Sequence, residues 1–369
     1  MKIIADNTIP FLKGIPEEFA EVTYLTSEEF SPETIKNADA LIVRSIDKCT
    51  RELLEGSCVK LITTATIGFD HIDTAYCNEA GITWRNAPGC NAVSVSQYVI
   101  ASLFAVSLRK NESLKDKTIG IIGVGHVGKE IEKRCLALGM HVLRNDPPRA
   151  AQEGEQGFVS LDEIAHKADI ITVHTPLERK GKYATFHLAN EEFFSKLKRK
   201  PWFVNAARGS IHDTSALLQA KEKGLISELI LDCWENEPSI NPELLQIAAI
   251  ATPHIAGFSA DGKANATRAC LEHISSFFNI PNVRIADVLP PPPAEPTINL
   301  ERFQKNRIEQ AVFHSFNPDK IDKSLRNAPP KFEWFRANYS HPREFSAYTI
   351  IKATPEERLL LERLGYLCE

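Results

Sequence analysis

Thr118-Ile119-Gly120-Ile121-Ile122-Gly123-Val124-Gly125-His126-Val127-Gly128 is the stretch on which the fold turns. A short isoleucine-rich run has the composition of a buried strand, and the glycines that follow stand at the spacing GxGxxG. Residues 126–138 then read as a helix. Strand, turn and helix in that order give each glycine a task. Gly123 permits the tight turn, Gly125 lets the backbone approach a pyrophosphate, and Gly128 lets helix and strand pack closely. The helix N-terminus offers unpaired amides and a positive dipole end to an anion. Asp146 closes the next strand, where an acid that reads ribose hydroxyls is expected. Its charge repels a 2′-phosphate, so NAD is expected over NADP, although Arg149 nearby could accommodate that phosphate.

The same grammar extends in both directions. Upstream, Ile3-Ile4-Ala5, Ala40-Leu41-Ile42-Val43 and Leu61-Ile62-Thr63-Thr64 read as buried parallel strands, with helix starts such as Ser31-Pro32-Glu33 between them. A long helix is expected over residues 93–109. Downstream, strands recur at 140–143, 170–173, 202–204 and 229–231, and an amphipathic helix at 262–280. The fold class that follows is α/β, with two Rossmann-like doubly wound parallel sheets. Leu289-Pro290-Pro291-Pro292-Pro293-Ala294-Glu295-Pro296 is a semi-rigid polyproline break. Beyond it a small α+β unit is expected, with helices at 300–313, 320–326 and 355–364 and a strand at 347–351. A unit of that size needs a partner surface to be stable.

Composition narrows the function. A chain of 369 residues with 43% hydrophobic and 25% charged residues builds a large core without staples. The net charge of −5 argues against a nucleic-acid partner but not against an anionic small substrate. The eight cysteines form no CxxC pair and no zinc spacing, so free thiols and no metal are expected. The N-terminus lacks a signal-peptide pattern, and the apolar stretch at 98–108 is too short and mixed to span a bilayer. A cytoplasmic protein without a membrane partner is the default.

Three polar residues stand at strand ends or in the loops after them. They are Arg208 in Asn205-Ala206-Ala207-Arg208-Gly209, Glu237 in Asp232-Cys233-Trp234-Glu235-Asn236-Glu237-Pro238, and His254 in Thr252-Pro253-His254. Singly, each reads as a solvated or structural residue. Together, at the edge where doubly wound sheets bind ligands, they suit oxidation of a 2-hydroxy acid. A neutral His takes the hydroxyl proton, a carboxylate fixes its tautomer and stabilises the imidazolium, and an Arg holds the substrate carboxylate with two parallel bonds.

With these residues the chain resembles the D-isomer-specific 2-hydroxyacid dehydrogenase family over residues 3–280. The motifs are Gly123–Gly128, His174-Thr175-Pro176, Asn205 to Gly209, Asp232 to Pro238, and Thr252-Pro253-His254. The resemblance implies Arg208, Glu237 and His254 as active-site residues. It implies NAD contacts at His126, Val127, Asp146, Thr175, Ala206, Ala207, Arg208, Asp232 and Gly257. It also implies a substrate domain of residues 1–92 with 261–285, hinged to an NAD domain of 93–260, with a linker at 286–296. Ala5-Asp6-Asn7, Val43-Arg44-Ser45, the run from Thr64 to His71, Gly89-Cys90-Asn91-Ala92 and the run from Asn145 to Ala150 bring it closest to one branch. That branch takes a phosphorylated hydroxy acid of vitamin B6 synthesis, and in it a C-terminal domain, here 297–369, serves homodimerisation. Ser45 and Thr66 match substrate contacts there, and Arg44 could meet the phosphate. Phe258 stands where a Tyr often contacts substrate; Ser259 or water could replace the missing hydroxyl. Other readings are a relative acting on 3-phosphoglycerate, glyoxylate/hydroxypyruvate or D-lactate, and an NAD(H)-sensing corepressor-like binding protein.

Overall fold

A computed structural model describes residues 1–369. The chain separates into two compact units, Met1–Asn91 with Ser259–Pro291, and Ala92–Phe258 with Pro292–Glu369. In the first unit, strands β1 (Lys2–Asp6), β2 (Glu21–Leu25), β3 (Ala40–Val43), β4 (Leu61–Thr64) and β5 (Thr83–Arg85) form a parallel sheet in the order β2-β1-β3-β4-β5. β3 and β4 are buried at every residue, as a parallel sheet covered on both faces requires. The helix Ala260–Phe278 packs Ala264, Cys270, Leu271 and Ile274 onto Ile3, Ala5, Ala40 and Leu61. Strand order reverses between β1 and β3, so the loops after Asp6 and Val43 open at the position where such sheets bind ligands.

In the second unit, β6 (Thr118–Ile122), β7 (His141–Asn145), β8 (Ile170–Val173), β9 (Trp202–Asn205), β10 (Glu228–Leu231) and β11 (Ile250–Ala251) form a second parallel sheet. Its order is β11-β10-β9-β8-β6-β7, with the reversal between β6 and β8. Two Rossmann-like sheets are therefore present, as the sequence implied. The helix Ala92–Lys110 is long and apolar enough to cross a membrane, but 83% of its apolar window is buried against this sheet's unit and the C-terminal segment.

A third, small parallel sheet joins β12 (Thr297–Asn299), β13 (Thr349–Ile351) and β14 (Leu367–Cys368). The helix expected over 300–313 begins later, at Arg307–Ser315. Asn306 in the left-handed region (φ 53°) separates it from a short 3-10 turn at Leu300–Arg302. The C-terminal segment finds the surface it needs within its own chain. Ile298, Val312, Phe345, Ile350, Leu361 and Leu364 share one hydrophobic core with Tyr98, Phe104, Ile131 and Cys135. Polar groups seal the seam. Asp322 accepts from the Ala251 amide at 2.7 Å, Arg326 donates to the Leu245 and Ala248 carbonyls, and Arg134 Nε donates to the Leu364 carbonyl at 3.1 Å.

A shared core makes a mechanical statement. Leu361→Ala is expected to cost about 2–5 kcal/mol, the usual range for a buried leucine, and to weaken hydrogen-exchange protection in β6 and β8 as well as in the C-terminal helix. Loss confined to the C-terminal segment would show that it opens on its own.

Candidate active site

The glycine turn after β6 opens into a cleft of about 740 Å³ lined by Gly123, Gly125, Asp146, His174, Thr175 and Pro176, among others. Gly123 has φ +88°, and a Cβ there would lie 2.7 Å from the His174 carbonyl. A Cβ on Gly128 would lie 2.3 Å from the Gly123 carbonyl oxygen, so helix and turn meet only because both residues lack side chains. Around Gly125 nothing stands within 4 Å of such an atom, and Gly125 and His126 are exposed at the N-terminus of the helix His126–Ala137. Val127, behind them, is partly buried against the core.

Two observations bear on a dinucleotide. Thr175 Oγ1 is buried without a protein partner beside the cleft. Asp146 accepts from the Val124 amide at 2.8 Å and the Arg149 amide at 3.1 Å, which fixes its carboxylate at the end of β7. These residues fit NAD: open space and helix amides for a pyrophosphate, and an oriented acid for ribose hydroxyls. Arg149 is engaged elsewhere. It forms a two-pronged pair with Glu153 at 2.8 and 2.7 Å and donates to the Val124 carbonyl, which leaves little of it for a 2′-phosphate. His174, half-buried and bonded to Thr172 at 2.7 Å, has its pKa lowered to about 3 by desolvation, so the cleft wall is neutral there.

The second cluster sits after β9, β10 and β11. His254 Nδ1 lies 2.8 Å from Glu237 Oε2, and the other oxygen of Glu237 accepts from the Trp234 amide at 2.7 Å. His254 occupies the left-handed region (φ 56°), unfavourable for a side chain of its size, and its amide donates to the Asp232 carbonyl at 2.9 Å. Asp232 is buried. One oxygen accepts from Thr252 Oγ1 and the Ile255 amide, the other from the Ala256 amide, at 2.7–2.9 Å. Burial raises the Asp232 pKa, against the pull of these bonds and of His254. Burial disfavours a charged His254, but the Cys233 sulfur and the Glu237 carboxylate act the other way and prevail, so its pKa stands well above an ordinary imidazole's. Burial raises the Cys233 pKa, against the pull of His254.

Arg208 is exposed, with its guanidinium on the Ala207 carbonyl at 2.7 Å. Its loop is pinned against the Glu237 loop: a Cβ on Gly209 would fall 1.8 Å from the Trp234 carbonyl oxygen. Ala206 and Ala207, just before it, are nearly buried. Gly257 follows the His254 turn. Phe258 packs on the C-terminal segment, 5.6 Å from the His341 ring and 6.4 Å from that of Tyr339, with Arg336 over its face at 5.9 Å. Ser259 Oγ accepts from the Gly262 amide as a helix cap.

In the first unit, Arg44, Ser45 and Thr66 follow β3 and β4. Arg44 Nε pairs with buried Asp6 at 3.1 Å, and its amide donates to Asp47 at 2.7 Å. Ser45 is exposed, while Thr66 bonds Thr64 and the Gly68 carbonyl, both at 2.8 Å. Sequence reasoning missed the supporting residues: Asp6 and Asp47 behind Arg44, and Tyr98, whose hydroxyl meets Thr252 Oγ1 at 2.7 Å. An acid at the C-terminal end of β1, followed by Thr8, was the available signal for the first. A lone Tyr in an apolar helix carries none.

Residues 95–256 match the D-isomer-specific 2-hydroxyacid dehydrogenase NAD binding domain. A protein of Porphyromonas gingivalis named erythronate-4-phosphate dehydrogenase is 49% identical over 368 residues, covering 100% of both chains. One of the same name from Escherichia coli is 38% identical over 370 residues, covering 99% of this chain and 98% of its own. Among solved structures, NAD-bound 3-phosphoglycerate dehydrogenase of Entamoeba histolytica is 29% identical with TM-score 0.63, covering 77% of this chain and 97% of its own. Aquifex aeolicus D-lactate dehydrogenase, complexed with NAD and lactic acid, is 28% identical with TM-score 0.60, covering 76% and 96%.

The two glycines divide stability from binding. Gly125→Ala should leave the melting temperature unchanged and weaken NAD binding by at least about tenfold, because its methyl enters only the anion's space. Gly128→Ala should lose both stability and binding. Calorimetric titration with NAD beside thermal unfolding checks this; equal behaviour of the two variants would contradict it.

Proposed function

The chain belongs to the D-isomer-specific 2-hydroxyacid dehydrogenase family, and on that premise we propose that it oxidises 4-phospho-D-erythronate with NAD. The product is 3-hydroxy-2-oxo-4-phosphooxybutanoate, on the route to pyridoxal 5′-phosphate. The observation that carries the chemistry is the His254–Glu237 pair at 2.8 Å, oriented on both sides by the Trp234 amide and the Asp232-bound loop.

Arg208 binds the substrate carboxylate with its planar donors. His254 accepts the C2 hydroxyl proton, and Glu237 holds the ring's tautomer and stabilises the imidazolium. Bound NAD would supply the acceptor for the C2 hydride. Gly123, Gly125, His126, Val127 and Gly128 would take the pyrophosphate, Asp146 the ribose, and Thr175, Ala206, Ala207 and Gly257 would line the remainder. Asp232 acts through the His254 loop, since its carboxylate is fully engaged there. Ser45 and Thr66 meet the substrate, with Arg44 toward its phosphate. Phe258 offers only an apolar ring, so substrate contact at that position is by packing.

The choice of acid is supported by relatives of that name spanning the whole chain, whereas the dehydrogenases for 3-phosphoglycerate and D-lactate cover about three quarters of it. A cytoplasmic homodimer completes the reading. Trp334, Leu359 and Leu367 of the C-terminal segment are more than half exposed and suit such a contact.

NADH formation from 4-phospho-D-erythronate, beside 3-phosphoglycerate and D-lactate and with a 2-oxo acid to recycle cofactor, tests the proposal. Preference for the first is expected, and His254→Ala should lose about 10²–10⁴-fold in turnover while still binding NAD. Preference for another acid would overturn the substrate; unchanged turnover in the variant would overturn the base.

The direction of the pH dependence follows from the base. Only neutral His254 accepts a proton, and its pKa is raised. Oxidation should therefore fall by about tenfold per pH unit as pH drops below that pKa, and level off above it. A kcat/KM profile for oxidation that is already level from about pH 7.5 upward, as for an ordinary imidazole of about 6.5, would contradict this.

A further inference from the structure

The proposed chemistry assigns no proton transfer to Cys233, yet it lies where the chemistry happens. β10 and β11 pair with Leu231 beside Ala251, so the residues that follow each strand run side by side. This brings Cys233 next to His254 although they are far apart in sequence. The Cys233 sulfur, a Glu237 carboxylate oxygen and a His254 ring nitrogen all lie within 4.8 Å of one another. The sulfur meets the His254 ring and makes a weak contact of 4.0 Å to Asp232.

The donor set has a definite preference. In tetrahedral zinc sites the metal lies about 2.3 Å from sulfur and about 2.0–2.2 Å from nitrogen or oxygen, so ligand atoms stand about 3–4 Å apart. Glu237 and His254 are already at 2.8 Å, and the sulfur, within 4.8 Å of both, needs to close by at most about an ångström. Thiolate and imidazole select soft and borderline ions, while magnesium and calcium prefer all-oxygen shells. Three protein ligands leave a fourth position for water.

We propose that Cys233, Glu237 and His254 form an inhibitory site for a thiophilic divalent cation of the zinc class. Binding expels the thiol proton and the proton of the ring nitrogen that ligates, both to solvent, and no electrons are exchanged. The Glu237 carboxylate is then committed to the metal and the ring is no longer the pair's base, so oxidation of the hydroxy acid stops. Metal binding stands on the geometry alone; the inhibition rests on His254 being the base.

The test separates the two. Cobalt(II), which reports thiolate ligation by a charge-transfer band in the near ultraviolet, is added to the full-length wild-type protein and to the Cys233→Ala and Cys233→Val variants. Two substitutions are used because the site is tightly packed. The expected result is a band in the wild type that both variants lack. Zinc should inhibit wild-type turnover reversibly by a chelator, and the variants, each compared with its own zinc-free rate, should need at least about tenfold more zinc. A band that persists without Cys233, or equal zinc sensitivity in all three proteins, would overturn the site. A Cys233-dependent band with undiminished turnover would keep the metal site and overturn His254 as the base.

Discussion

The buried carboxylate of Asp232 is the constraint on which the site depends. A carboxylate out of water is costly unless its lone pairs are satisfied, and here they are satisfied by one hydroxyl and two amides of a single short segment, residues 252–256. Hydrogen bonds to a charged group contribute about 1.5–3 kcal/mol each, enough to hold His254 in a backbone conformation it would otherwise avoid. Trp234 reinforces the tie, donating Nε1 to the Thr252 carbonyl at 2.9 Å and its amide to Glu237. Gly209 presses the Arg208 loop against the same tryptophan's carbonyl. Three loops from three neighbouring strands are thus locked by backbone contacts, and their functional side chains inherit fixed positions.

The same division of labour appears in the other unit. Asp6 and Asp47 are buried carboxylates that hold Arg44 from its side chain and its amide. Asp6 has its pKa lowered: burial opposes this, but Thr8 and Arg44 outweigh it. Asp47 has its pKa raised by burial and by Asp6. In both units an acid beneath the surface orients a cationic or proton-accepting group at the strand ends. This is preorganisation in its simplest form: the desolvation cost is met at folding, so the site needs little rearrangement when substrate arrives.

What was legible in the sequence was local. Gly123 and Gly128 state their own geometry because only a residue without a side chain fits those contacts, and β3, β4 and β8 announce themselves as short runs of aliphatic residues and threonine. Glu237 and His254 were readable as partners because the chemistry requires both. Short edge strands were not readable: β11 is Ile250-Ala251, two residues whose pairing depends on the neighbouring strand and on Asp322 from the distant helix Pro318–Asn327. The placement of Cys233 beside His254 follows from that pairing register, and so no spacing rule exposes it. The C-terminal unit read as an appendage because its helices are amphipathic in isolation; their apolar faces match the helix Ala92–Lys110, some two hundred residues earlier.

The account turns on Glu237 making His254 a stronger base, and an NMR titration of the His254 imidazole nitrogens measures that directly, in the wild type and in Glu237→Gln. The wild-type ring is predicted to titrate well above the ordinary value of about 6.5, and the glutamine variant, which keeps the hydrogen bond's shape but not its charge, to titrate lower. A wild-type ring that titrates at or below the ordinary value, or one indifferent to the loss of the Glu237 charge, would contradict it.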